Sequence, residues 1–177
     1  MRKVKYLALA AFFLAPSAIA AEDVSQQELI CMAENIYHEA GNQSLAGKVA
    51  VGLVVMNRVT DKRWPQTICE VVKEGPVRES WKTRQNPKVL AEDREYYPVR
   101  DKCQFSWYCD GKPDYIDTNS VAWKVSLNTA YKILYGNRYS GLLEGATFYH
   151  ADYVSPSWRL DMTLVTQIDN HIFYRKD

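Results

Sequence analysis

The 177-residue chain lacks an excess of charge of either sign, with 22 Lys and Arg against 21 Asp and Glu. A nucleic-acid partner is therefore excluded in the usual sense, because no surplus of cations is present to neutralise phosphates. No apolar stretch reaches the roughly 20 residues that a membrane-spanning helix needs, and neither internal repeats nor low-complexity tracts occur. A G-x-S-x-G nucleophile elbow and a C-x-x-C pair are also missing, which removes the usual serine-hydrolase and zinc or redox frames. Histidine is scarce, with only His38, His150 and His171. A zinc-peptidase helix needs histidines four apart around a glutamate. The position four after His38 is Asn42, so neither a metal nor a cofactor is expected.

What is present suits one exported domain. Apolar residues at 47% and charged residues at 24% match an ordinary globular protein and exclude wholesale disorder. Arg2, Lys3 and Lys5 precede a short apolar run from Leu7 to Ala15, and Ala18-Ile19-Ala20 is a small-residue cleavage site. Residues 1–20 therefore read as a secretory signal, leaving a single domain over 21–177 with a formal net charge of −2. The expected location is periplasmic or secreted, and the expected state is a monomer. Cys31, Cys69, Cys103 and Cys109 are an even set in an oxidising compartment, which predicts two disulfides. If Gln104 to Tyr108 are extended, Cys103 and Cys109 stand about 20 Å apart. The sequence then leans toward each of them bonding to one of Cys31 and Cys69, without choosing between the two arrangements.

Helical signals come first along the mature chain. Ser25-Gln26-Gln27-Glu28 is a capping box. Leu29, Ala33, Ile36 and Ala40 follow as one apolar stripe, and Gly41 and Asn42 can supply a left-handed end. Leu45 to Val59 is apolar on every side and predicts a buried central helix opened by Ser44. Thr67-Ile68-Cys69-Glu70 is a second capping box, for a short helix ending at Gly75. From Pro76 to Lys102, twelve of 27 residues are charged and three prolines break any period, which predicts a solvated surface excursion. Trp123, Leu127, Ala130 and Leu134 mark a later helix closed by Gly136. Ala146 to His150 read as a strand, and Thr163 to Arg175 as a hairpin turning at Asp169-Asn170. Helices first and short strands later predict an α+β fold.

The chemistry centres on Ile36-Tyr37-His38-Glu39-Ala40. Glu39 falls about 60° from Ile36, beside the apolar stripe, in the last turn of its helix. Burial and the negative end of the helix dipole both penalise its anion, which raises its pKa as a general acid requires. In Cys103-Gln104-Phe105-Ser106-Trp107-Tyr108-Cys109, amide and hydroxyl groups alternate with aromatics, so a strand there would present Gln104 and Ser106 on one face. Such a face suits a sugar, which offers hydroxyls and an apolar ring surface. A third cluster, Thr147-Phe148-Tyr149-His150 with Trp158, is dense in aromatic and polar tips. Asp110, Asp152 and Asp161 are candidate second carboxylates that no motif singles out.

In order along the chain, these segments resemble the SleB-like cell-wall hydrolases, peptidoglycan-cleaving enzymes of lysozyme-like fold. The resemblance is carried by Tyr37-His38-Glu39-Ala40, by Gly47 to Gly52 running to Met56-Asn57-Arg58-Val59, and by Trp64-Pro65-Gln66-Thr67-Ile68-Cys69. It continues through Gln104-Phe105-Ser106-Trp107, Cys109-Asp110-Gly111, Gly145-Ala146-Thr147 with Tyr149-His150-Ala151, and His171-Ile172-Phe173-Tyr174. It implies cleavage of the glycan strand between N-acetylmuramic acid and N-acetylglucosamine, with Glu39 as the catalytic acid. It also implies that Gln104, Ser106, Tyr149 and His150 line the glycan groove, where Tyr37 and Trp107 are expected to add substrate contacts. The family's Arg-Gly-Glu after Glu-Ala is replaced by Gly41-Asn42-Gln43, and the excursion over 76–102 is longer than the family's. With one acid standing out, the expected reaction is that of a lytic transglycosylase. A hydrolytic glycosidase, which needs a second carboxylate, and a non-catalytic glycan-binding envelope module are the alternatives.

Overall fold

A long apolar segment forms the centre of the fold. In this computed structural model, which describes residues 18–136, 139 and 141–177, helix α2 spans Leu45–Thr60. Its small residues let neighbours approach closely: a Cβ on Gly52 would meet the side chains of Ile133, Ile36 and Met32. Helix α1 (Ala18–Ala40) packs on one side of α2, and helix α5 (Val121–Gly136) packs against both. Met32, Ile36, Val51, Val54 and Val55 are fully buried between them. Each such side chain contributes about 1.5–3 kcal/mol relative to exposure. The short helix α3 (Ile68–Val72) closes the end of this bundle against α1 and α2. The expected leader lies, for its first 17 residues, outside the described residues.

Several local expectations are corrected. Helix α1 is already running at Ser25, so that residue is not an N-cap. The carboxylate of Glu28 instead accepts the backbone N–H of Ile68 at 2.5 Å, capping α3 from a neighbouring helix. Neither Gly41 nor Asn42 adopts a left-handed conformation. Glycine is needed at 41 for space, since a Cβ there would run into the carbonyl oxygen of Tyr37. The turn is held by Lys48, whose buried ammonium donates to the carbonyls of Gly41 at 3.0 Å and Gln43 at 2.5 Å. The caps at Ser44 and Thr67 form as expected, and Thr67 exchanges hydrogen bonds with Glu70 in both directions.

After α3 the elements become short. Strands β1 (Val77–Glu79) and β2 (Tyr96–Pro98) pair antiparallel, with helix α4 (Trp81–Arg84) and a 3-10 turn at Ala91–Asp93 between them. The charged excursion is thus a surface ribbon, and Trp81 on it is 67% exposed. Gln104 to Tyr108 are not extended, because Ser106–Cys109 form a 3-10 helix. That turn brings the Cα atoms of Cys103 and Cys109 to 6.1 Å, and the two cysteines bond to each other. Cys31 bonds to Cys69, tying α1 to α3. Two disulfides form as expected, and the leaning on their pairing is overturned.

A small antiparallel sheet in the order β3-β5-β4 completes the α+β fold, with β3 at Phe148–Ala151, β4 at Thr163–Ile168 and β5 at His171–Arg175. Strand β3 starts two residues later than the sequence suggests. The preceding carbonyls are taken by α2: Asn57 donates to the oxygen of Ala146 and Arg58 to that of Thr147, both at 2.9 Å. The hairpin turns at Asp169, which has a φ of 49°, and the Asp169 carboxylate accepts the backbone N–H of Ser44 at 2.9 Å. Both ends of α2 are therefore fastened to the sheet. Among the described residues no helix is long and apolar enough to cross a membrane.

Candidate active site

Where α1 ends, its last turn faces the start of the sheet across a cavity of about 630 Å³. Glu39 enters this cavity from the position before the terminal Ala40. Burial raises the pKa of its carboxyl above the ordinary glutamate value. A hydrogen bond from Tyr149 and the positive charge of Arg58 act in the opposite direction without cancelling that rise. The Tyr149 hydroxyl donates to Oε2 of Glu39 at 2.8 Å. Its own pKa is pushed well above the ordinary tyrosine value, by burial first and then by the neighbouring Glu39 charge. Tyr149 is thus a fixed neutral donor, and Oε1 of Glu39 is the atom left to carry a transferable proton.

Beneath these two groups lies Arg58, only 3% exposed although it sits on the strongly apolar helix α2. Its Nε holds the Thr147 carbonyl, and its guanidinium carbon is 4.1 Å from the centre of the Trp64 ring and 5.0 Å from that of Phe105. Burial lowers its pKa to about 10, opposed by its electrostatic interactions with Tyr149, Glu74 and Glu39. It remains a cation at neutral pH. Its Nη1 has no hydrogen-bond partner among the described residues.

The opposite wall comes from the Cys103–Cys109 turn. Trp107 stacks on His38 with ring centres 4.4 Å apart, and its Nε1 donates to the fully buried Asn35 at 3.0 Å. Gln104 is fastened through its backbone N–H to the Glu74 carbonyl at 2.9 Å, which leaves its side chain exposed along the cavity. Phe105, completely buried, anchors the turn from below.

The cavity therefore brings together Glu39, Gln104, Ser106, Trp107, Tyr149 and His150. Tyr37 is not among its lining residues. The Tyr37 ring packs edge-on against Trp123, partly buried at the core. His150 lies at the wall with both ring nitrogens occupied, Nδ1 at 2.8 Å from the Ala151 carbonyl and Nε2 at 3.1 Å from the Tyr174 hydroxyl. Sequence reasoning missed Arg58 and His171 as cavity residues, and placed His38 and Trp158 in the chemistry-bearing clusters without giving either a contact. For Arg58 a signal existed: a charged side chain inside a helix otherwise apolar on every side must find buried partners. Of the three candidate second carboxylates, Asp110 lines the cavity and Asp152 and Asp161 do not. The Asp110 pKa is lowered, chiefly by the backbone N–H of Lys112. All three histidines line the cavity, yet among the described residues no three His, Cys, Asp or Glu side chains are grouped to hold a metal ion. The arrangement offers a proton donor of raised pKa, an exposed amide and flat aromatic surfaces in one open groove.

Residues 42–174 match the model of a family described as Cell Wall Hydrolase. The matched range begins three residues after Glu39. Comparison with curated proteins gives no match. Among solved structures, the chain is similar to the catalytic domain of the Bacillus cereus SleB protein, with 24% identity and a TM-score of 0.54 over 85% of this chain and 91% of that one. It is similar to the same extent to the catalytic domain of a germination-specific lytic transglycosylase, SleB, from Bacillus anthracis. There the identity is 24% and the TM-score 0.55, over 85% of this chain and 95% of that one.

Proposed function

The chain belongs to the cell wall hydrolase family, and from that premise we propose that it cleaves peptidoglycan glycan strands as a lytic transglycosylase with Glu39 as its acid and base. The scissile bond is the one between N-acetylmuramic acid and N-acetylglucosamine. The observation that carries this reading is the Glu39–Tyr149 pair: a carboxyl of raised pKa whose Oε2 is engaged, so that Oε1 is available to a substrate. Glu39 protonates the glycosidic oxygen as the bond from muramyl C1 breaks. The resulting carboxylate then takes the proton of the muramyl C6 hydroxyl as that oxygen attacks C1. A 1,6-anhydro product forms, no water is consumed and Glu39 ends protonated. The description of the Bacillus anthracis structure as a lytic transglycosylase supports the same reaction. The two disulfides and the cationic, apolar first 20 residues support export to the periplasm, with residues 21–177 as the catalytic domain.

One observation favours a hydrolytic reading. Asp110 shares the cavity, and its lowered pKa keeps it an anion able to activate water or stabilise a developing positive charge. Mass spectrometry of muropeptides released by residues 21–177 separates the two reactions, because hydrolysis adds one water and transglycosylation does not. Glu39→Gln keeps size and hydrogen bonding and cannot transfer the proton. It should fold, bind glycan and lose about 100- to 10,000-fold in rate. Full activity in a folded Glu39→Gln protein would end the assignment, and binding without release by the unmodified protein would favour a glycan-binding module.

A further inference from the structure

A second pocket of about 280 Å³ adjoins the first and shares Gln104 and Phe148 with it. Its remaining lining residues are Arg63, Trp64, Glu74 and Lys176. The two pockets differ in charge. Among the described residues the one Lys or Arg lining the Glu39 cavity is the buried Arg58, whereas the second pocket has two cations at its rim. Arg63 is held in place by Asp61 at 2.7 Å and by the backbone carbonyl of Lys176 at 3.1 Å. Among the described residues the Lys176 ammonium makes no ion pair. On the inner side, Oε2 of Glu74 is buried without a hydrogen-bond partner among the described residues. Trp64 adds a flat wall, wedged between Arg58 and Phe148.

The amino sugars of a glycan strand carry no charge, and the free carboxylates of peptidoglycan belong to the peptide stems on its muramyl units. We propose that this second pocket binds the acidic peptide stem of the muramyl residue whose bond is cleaved. Lys176 and Arg63 receive the stem carboxylates, and Glu74 accepts a stem amide N–H. Burial raises the pKa of Glu74, which weakens its repulsion of a nearby carboxylate. The pocket has this role only with the strand lying beside Glu39, as proposed above.

The test compares two substrates, glycan strands bearing peptide stems and the same strands with their stem carboxylates converted to carboxamides, for the unmodified protein and for Lys176→Glu. Lys176 is exposed and follows the last residue of β5, so its reversal leaves the core untouched. The unmodified protein should prefer the strand with free stem carboxylates. Lys176→Glu should lower kcat/KM on that strand about fivefold, as expected for a rim charge, and leave the amidated strand unaffected. The loss should shrink as salt is raised. Cleavage of both strands with no preference, or an equal loss on both in the variant, overturns the stem pocket alone. No release from either strand by the unmodified protein overturns the cleavage reading and this assignment with it.

Discussion

The two walls of the Glu39 cavity are built by different means. Glu39 and Arg58 stand on α1 and α2, whose positions are set by a continuous core of fully buried side chains. Gln104, Ser106 and Trp107 stand on a short turn closed by a disulfide of sequence separation 6 and pinned by one buried ring and two hydrogen bonds. In the proposed mechanism the helical wall needs rigidity, because a general acid must keep both its burial and its geometry to hold a raised pKa. The turn wall needs only to present polar and aromatic surface to a long substrate. Damage to the first should therefore cost stability and chemistry together, and damage to the second mainly substrate handling.

The sharpest way to break the comparison is to open each disulfide in turn. Cys31–Cys69 closes 38 residues and ties α1 to α3, whereas Cys103–Cys109 closes 6. Loop-closure entropy predicts about 4 kcal/mol for the first and about 2 kcal/mol for the second. Paired serine variants measured by denaturant unfolding should show that order, and equal losses would remove the distinction between the walls.

Arg58→Met comes next. It removes the bond to Thr147 and the lining guanidinium near Glu39, and should cost about 3 kcal/mol in unfolding free energy. Arg58 lowers the Glu39 pKa, so its removal should raise that pKa further and move the alkaline limb of the pH–activity profile upward. An unchanged limb would mean that Arg58 does not act on Glu39, and a downward shift would reverse the sign of its action.

Gln104→Ala should have the smallest effect on the fold. Its side chain is exposed, so thermal unfolding should hardly move, while kcat/KM falls about tenfold if the amide holds a sugar group. A large drop in thermal stability would place Gln104 with the helical wall instead.

The same division explains how far the sequence could be read. The run from Leu45 to Val59, the Thr67 capping box and the Asp169-Asn170 turn carry local signals strong enough to specify their own structure, and each forms. Glu39 was legible because its place in a helical period fixed both its burial and its position at a helix end. Gln104 to Tyr108 alternate polar and aromatic residues as a strand does, but the bond between Cys103 and Cys109 curls them, and a disulfide partner is not a local property. Ser25 fails as a cap for a similar reason, since Glu28 serves a helix 40 residues away. Tyr37 stands two residues before Glu39, yet two helical steps of about 100° each turn their side chains to opposite faces, and its ring packs against Trp123. Arg58 and Trp64 meet Glu39 and Phe148 only after α2 and the sheet have docked.

The central claim is that the helical wall holds Glu39 as an acid of raised pKa, and its ionisation is the most direct test. With a pKa raised above the unfolded value, the stabilising contribution of Glu39 is fully present below the unfolded pKa and is lost as pH rises through the folded pKa. The carbon-13 resonance of the Glu39 carboxyl, assigned by its disappearance in Glu39→Gln, can be titrated in the folded protein. A midpoint above the ordinary glutamate value, and higher again in Tyr149→Phe where the hydrogen bond to the anion is gone, is the predicted result. A midpoint at or below the ordinary value, or a fall in Tyr149→Phe, would contradict it.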